Sequence, residues 1–275
     1  MKTLIRSTSI LMLTTTLLIG CQPKEAAKPE KAKDTQATVE TKKEELTTDE
    51  LMAKIEANKK AHTYQLMVKG ALSIAGTQVQ FEENSIVEEA VNPKIKHQVG
   101  TSKTLGSSEK VESYEKDGLT YSYQDKKKTW TKTKSAKKAD PFSNMDTSLQ
   151  SFKSMKEAVS SSHEGNQYKI VFDISKAKNR SALEKELTSS FTQDADSQMR
   201  AAFKGIKLKS YTLTFTFDDK TFAQTSLEGS LELSTDSKTK PTSVKATVKQ
   251  NQFAPFNGTI TIPADVVKKA KQVSE

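Results

Sequence analysis

The chain of 275 residues holds one thiol, and its position suggests what that thiol does. Cys21 closes the run Leu18-Ile19-Gly20-Cys21, at the end of an apolar stretch from Ile10 to Ile19 that follows Lys2 and Arg6. A positive start, a short apolar core and a small residue before the cut are the parts of a secretory leader, and the stretch is too short to read as a retained span. A lone cysteine in a disulfide-permitting compartment has no partner to pair with, so its chemistry is better read as acylation. Two long acyl chains hold a protein on a bilayer far more firmly than one, at about 0.8 kcal/mol per buried methylene. The motif predicts a mature protein anchored through diacylglycerol on Cys21 to the extracytoplasmic face of the cell membrane. The competing reading is a plain secretory leader with an incidental cysteine.

The other residue types that do chemistry are scattered. No G-x-S-x-G elbow is present, and no glycine loop has the G-x-x-x-x-G-K spacing that cradles phosphates. His62, His97 and His163 fall on different elements, none with a second ligand at metal spacing. Glu82-Glu83 lies in a strand pattern that turns the two carboxylates to opposite faces, and Asp218-Asp219 reads as turn chemistry. The expectation is a protein that is not an enzyme and carries neither metal nor cofactor. The strongest charge feature is Lys126-Lys127-Lys128 with Lys132, Lys134, Lys137 and Lys138 around Trp130. Lys126, Lys127, Lys128, Trp130 and Lys132 are candidates for contact with anionic headgroups, an anionic wall polymer or a protein partner. The alternative is a solvated hairpin whose lysines discourage edge-to-edge pairing. The chain carries a formal charge of +9, and loss of Lys2 and Arg6 with the leader leaves +7. For an exported chain that balance does not point to nucleic acid.

Three stretches position these residues: a leader over residues 1–20, a tether over 21–46 and a single domain over 47–275. The tether is Lys, Glu, Ala, Thr and Pro with almost no aliphatic side chain, so it cannot bury enough surface to offset its ordering entropy. In the domain, Thr47 or Thr48 caps an opening helix that carries Leu51 and Ile55 on one face. The period then changes to 2: Tyr64, Leu66, Val68, Leu72 and Ile74 alternate with Gln65, Lys69 and Ser73. Alternation recurs at Val79 and Phe81, at Ile86 and Val87, over Ile95 to Val99 and Val111 to Tyr114, and beyond the hairpin signal Asp117-Gly118 at Tyr121, Tyr123 and Trp130. Helical spacing appears over residues 143–160 and 181–203, with a strand over Tyr168 to Ile174 between them. Long strands follow over 208–217, 222–233 and 244–252, and a last one ends at Pro263. This is an α+β pattern: about ten antiparallel strands in a large curved open sheet, a half-barrel capped by two or three helices.

Tyr64, Leu66, Phe191, Met199, Phe203, Tyr211, Leu213 and Phe215 are candidates to line a cavity between sheet and helices, where methionine and aromatic side chains adapt to a flexible apolar ligand. The same side chains would fill an ordinary core equally well. The order of parts, with Lys116-Asp117-Gly118-Leu119-Thr120-Tyr121, Lys128-Thr129-Trp130-Thr131-Lys132 and the closing Ile262-Pro263-Ala264-Asp265-Val266, resembles uncharacterised lipoproteins of Gram-positive bacteria. Their fold is similar to the lipoprotein-localisation and mycobacterial lipoprotein (LolA/LppX-like) group. That resemblance implies an open β half-barrel capped by helices, a lipid or acyl ligand in the space between, and a Gram-positive source. It assigns no site residue.

Overall fold

The computed structural model describes residues 46–134, 155–178, 180–192, 201–236 and 241–272, all within the unit Glu44–Glu275. Helix α1 (Thr48–Ala57) starts at a capping box: the Glu50 amide donates to Thr47 Oγ1 at 3.3 Å, and the Thr47 amide donates to Glu50 Oε2 at 2.9 Å. Each bond satisfies an amide that the first turn leaves without a helical partner.

A meander follows: β1 (His62–Ile74), β2 (Thr77–Ala90), β3 (Ile95–Thr104), β4 (Ser107–Lys116), β5 (Leu119–Gln124) and β6 (Thr129–Lys134). A second contains β7 (Val159–Glu164), β8 (Gln167–Asp173), helix α2 (Ser181–Thr192), β9 (Lys207–Asp218), β10 (Gln224–Ser234) and β11 (Thr242–Pro255). The chain closes on α3 (Ala264–Lys269) and β12 (Lys271–Gln272). Among the described residues these make one twelve-stranded sheet in the order β12-β6-β5-β4-β3-β2-β1-β11-β10-β9-β8-β7. Every pairing is antiparallel except β12 with β6. The first and eleventh strands join the two meanders, from Ile74 opposite Thr242 to His62 opposite Pro255. The edge strands β7 and β12 are not paired with each other, so the sheet stays open, the α+β half-barrel architecture expected from the sequence.

Strand parity separates two faces. The inner face carries Tyr64, Leu66, Val87, Ile170, Phe172, Leu213, Phe215, Leu231 and Val248, all in one core cluster with Leu51, Met52 and Ile55 of α1 and Leu183 and Leu187 of α2. Curvature toward this face is supported by glycines: a Cβ on Gly70 would lie 2.6 Å from the Lys245 carbonyl oxygen, and one on Gly100 2.1 Å from that of Asn84. Beyond β3 the buried side switches. Tyr114 and Tyr121, paired across β4 and β5, point outward and are covered by Val266 of α3 with Ile260, Ile262 and Ala270.

Three expectations need correction. Residues 260–263 form no strand; their apolar side chains lie on the outer face of β4–β6, while the sheet edge is taken by Lys271-Gln272. The described end of the expected helix over 143–160 is a single 3-10 turn (Lys156–Ala158) running into β7. The strand count is twelve, because β7 and β12 lack an apolar alternation to announce them.

Candidate functional site

The apolar inner surface spans β1, β11, β10, β9 and β8, and several short pieces of chain cover it. Six of the expected lining residues meet there: Tyr64, Leu66, Phe203, Tyr211, Leu213 and Phe215, all buried in the same cluster. Met199 and the side chain of Phe191 lie outside the described residues, as does Cys21. Helix α1 is tied to the edge strand by the Thr48 and Ser161 hydroxyls at 2.8 Å and to the turn before that strand by Lys156 Nζ on Asp49 Oδ2 at 2.7 Å. Helix α2 is held where the Leu208 amide donates to Glu184 Oε1 at 3.0 Å. Met155 and Phe203 complete the cover.

Laterally the inner face changes chemistry. Ser85, opposite Leu66, is buried and donates to Glu83 Oε1 at 3.1 Å, while Gln98 Nε2 donates to Ser85 Oγ at 3.2 Å and also to Glu83. From there Ser102, Ser113, Thr120, Ser122, Thr129, Thr131 and Thr133 occupy inward register positions on β3–β6. The apolar strip thus ends at a hydrogen-bonded boundary and continues as a hydroxyl-rich surface.

At the end of the sheet where β1 and β8 begin, two aromatic stacks flank the apolar strip. Tyr64 stacks on Phe253 with centroids 5.1 Å apart, and His62 lies 5.4 Å from Phe253. Tyr168 stacks on Phe222 at 5.8 Å and on His163 at 4.5 Å, with Lys54 Nζ 5.4 Å from the Phe222 centroid. Both phenylalanines are placed by left-handed backbone, at Gln252 (φ 54°) beside Phe253 and at Phe222 itself (φ 56°). A bulky residue with positive φ is a strained outlier and such sites gather where side chains are re-aimed. The turn holding Phe222 is built on Asp218, whose Oδ1 accepts from the Thr221 amide and hydroxyl, each at 2.8 Å. Those two bonds, the amide foremost, keep the Asp218 carboxyl below its ordinary range. The Asp219 side chain is largely buried, with His163 Nε2 3.5 Å from its Oδ2. Sequence spacing gave no sign of that pair or of the stacks, because turns and a bulge bring them together.

The structure divides the basic candidates. Lys126, Lys127 and Lys128 are exposed at the β5–β6 tip, where Lys126 meets Glu109 and Lys128 meets Asp125, both at 2.5 Å. Trp130 packs 5.9 Å from Tyr114 and 5.4 Å from Tyr123, and Lys132 Nζ sits 5.8 Å from the Tyr121 centroid. These two residues belong to the outer face of β6. His97 lies on the same face, stacked on Tyr114 at 4.3 Å with Nδ1 2.9 Å from Glu88 Oε2. Among the described residues no three His, Cys, Asp or Glu side chains converge as a metal site, and no helix is long and apolar enough to cross a membrane.

Residues 34–271 match DUF6612, a family of unknown function. The chain belongs to the DUF6612 family. No curated protein matches this DUF6612 member. Solved structures similar to it include a DUF1329 family protein from Desulfovibrio piger, with 7% identity, 76% of this chain and 92% of that chain covered, and a TM-score of 0.32. A LolA superfamily protein from Nitrosomonas europaea aligns at 7% identity over 78% of this chain and 96% of that chain, with a TM-score of 0.32. A β-barrel-like DUF1849 protein from Brucella abortus aligns at 9% identity over 72% and 98%, with a TM-score of 0.25.

Proposed function

We propose that this chain is a lipid-anchored, extracytoplasmic binder of a ligand with an apolar chain, held between the inner face of β1 and β8–β11 and the helices α1 and α2. The observation that carries the reading is the divided cover: α1, α2, Met155 and Phe203 lie over one continuous apolar strip as separate pieces. Each piece buries little by itself. Lifting α1 re-exposes Leu51, Met52 and Ile55, a cost of about 6 kcal/mol at roughly 2 kcal/mol per side chain. An acyl chain of about fifteen methylenes regains about 12 kcal/mol when buried, which exceeds that cost. The aromatic stacks stand at one mouth of the strip, where an amphiphile's polar end meets water.

Anchoring rests on Leu18-Ile19-Gly20-Cys21 and on Cys21 being the only cysteine. In this reading the protein works at the outer surface of the plasma membrane and assigns no residue to catalysis. Cys21→Ala then leaves the protein unacylated and extractable from membranes by high salt, whereas the parent stays bound; a membrane-bound parent that carries no acyl mass on Cys21 removes the anchor from the reading.

The test of the ligand is native mass spectrometry of the mature chain carrying Cys21→Ala, before and after denaturation and organic extraction. Non-covalent mass that extracts as lipid supports the binder. A clean apo mass that survives incubation with membrane lipids overturns it and leaves a surface module that works through its exterior.

A further inference from the structure

Three described hairpins turn on two residues of the same backbone geometry: Ala75-Gly76 (φ 49° and 87°), Leu105-Gly106 (52° and 75°) and Asp117-Gly118 (51° and 72°). Positive φ at both positions is the type I′ turn, whose first position favours Asn, Asp or Gly. Asp117 obeys that preference. Ala75 and Leu105 do not, and both sit at the end of the sheet opposite Asp117. Leu105 is 77% exposed, the most of any large apolar side chain described. Around the neighbouring Gly106 a Cβ would meet nothing within 4 Å, so the tip stands clear of the protein. Neither turn chemistry nor packing accounts for a leucine there, since left-handed backbone and exposure both disfavour it.

The register gathers other groups at this end. Thr77 opposite Ile74 and Thr104 opposite Phe81 put the β1–β2 and β3–β4 tips at the same end of the sheet, staggered by four residues along β2. The β5–β6 tip joins them through the Lys110 amide, which donates to Asp125 Oδ2 at 3.1 Å. Lys207 and Lys209 share Asp236 on the far side of the same rim, at 2.5 and 2.8 Å. Within three residues of the β3–β4 and β5–β6 turns stand Lys103, Lys126, Lys127 and Lys128 against Glu109 and Asp125, an excess of two positive charges among the described residues.

We propose that this rim docks on an anionic phospholipid surface, with Leu105 entering the headgroup layer and Lys103, Lys126, Lys127 and Lys128 lying on the phosphates. The pairing decides the partner. A soluble polyanion would use the lysines and gain nothing from Leu105, whereas a bilayer surface takes up an apolar tip and attracts the charges around it. The docking holds the sheet end-on to the membrane, and it stands whether or not the protein carries a ligand inside.

The test uses the mature chain with Cys21→Ala, so that no acyl chain contributes, and measures binding to vesicles of phosphatidylglycerol mixed with phosphatidylcholine and of phosphatidylcholine alone. Leu105→Asn suits the turn better than leucine, so the variant folds at least as stably as the parent. The proposal expects it to bind the anionic vesicles roughly fivefold more weakly. Lys127→Gln, a change at an exposed side chain, is expected to weaken the same binding by about fivefold and to leave binding to phosphatidylcholine unchanged. Equal affinity of Leu105→Asn and parent for anionic vesicles overturns the docking. So does binding that polyphosphate competes away fully and that depends on the lysines alone, which marks a polyelectrolyte site.

Discussion

Phe253 lies over Tyr64 with ring planes 21° apart, on the side of the sheet from which an unbroken β11 would turn it away. Gln250, opposite Leu66, faces inward, and strict alternation would then send Phe253 outward together with Asn251. Between Thr63 and Gln65 the register slips, so that Gln252 and Phe253 together face Tyr64, and Gln252 takes the left-handed backbone of a bulge. The slip moves one phenylalanine from solvent to the mouth of the apolar strip.

Phe253→Ala removes half-buried area and two ring contacts, so it lowers stability by about 2 kcal/mol, less than a fully buried phenylalanine would. Urea unfolding measures the loss. In the proposed binder the same variant also releases ligand, and Phe253→Leu recovers stability more fully than it recovers binding.

The outer cluster is a separate small core. Val266 is 4% exposed and closes Tyr114 and Tyr121 from outside the sheet. Val266→Ala is expected to cost about 1.5 kcal/mol by opening a cavity the size of two methyl groups. Hydrogen exchange should place the loss of protection in β4–β6 and residues 256–272. Equal loss across β8–β11 would mean that the two clusters unfold as one unit.

Much of this architecture was legible because its signals are local. Thr47 or Thr48 ahead of Leu51 and Ile55 announces α1, Asp117-Gly118 announces its hairpin, and the alternation of Tyr211, Leu213 and Phe215 places those side chains on one face before any fold is known. What was not legible depends on partners distant in sequence. β2 reads as two apolar fragments because Glu83 and Ser85 point inward between them, where they bond to each other and to Gln98 on β3. β7 carries Ser160, Ser161 and Ser162 and pairs only along one side, so it shows no period of its own. Ile260 and Ile262 imitate a strand because an outer-face strap needs alternating apolar contacts just as a strand does. The aromatic mouth was hidden for the same reason, since Phe222 and Phe253 reach it only through left-handed backbone.

Stability should fall in strong acid through Asp236. Lys207 and then Lys209 hold its carboxyl down from 3.8 to about 2. A depressed folded-state pKa adds stability above the unfolded value, and that contribution is lost as pH falls through about 2. The group is exposed, so the effect is small and salt weakens it. Asp236→Asn is therefore expected to be slightly less stable than the parent above pH 4, with the two curves converging near pH 2. A constant gap across that range would mean that Asp236 acts through something other than its charge.

The glycines of the inner face differ from those of the turns in what they permit. At Gly106 a side chain would project into open space, whereas at Gly100 a Cβ would lie 2.1 Å from the Asn84 carbonyl oxygen and 2.6 Å from the Ser85 Cα. The Ser85 Oγ at 2.4 Å could turn aside, but the other two obstacles are backbone, so no rotamer change relieves them and the strands must move apart. Gly100→Ala is expected to cost about 3 kcal/mol, the upper end of ordinary overpacking, because the displaced strand also carries the Gln98 contact to Ser85. Gly70→Ala meets the Phe81 ring at 2.2 Å, which can swing aside, but also the Lys245 carbonyl oxygen at 2.6 Å, which cannot. It should cost less than Gly100→Ala and more than Val266→Ala. Chemical unfolding of the three variants tests the order. If Gly100→Ala folds with parental stability, the close approach of β2 and β3 is not required, and the curvature that keeps the apolar strip concave must come from the packing of α1 and α2 instead.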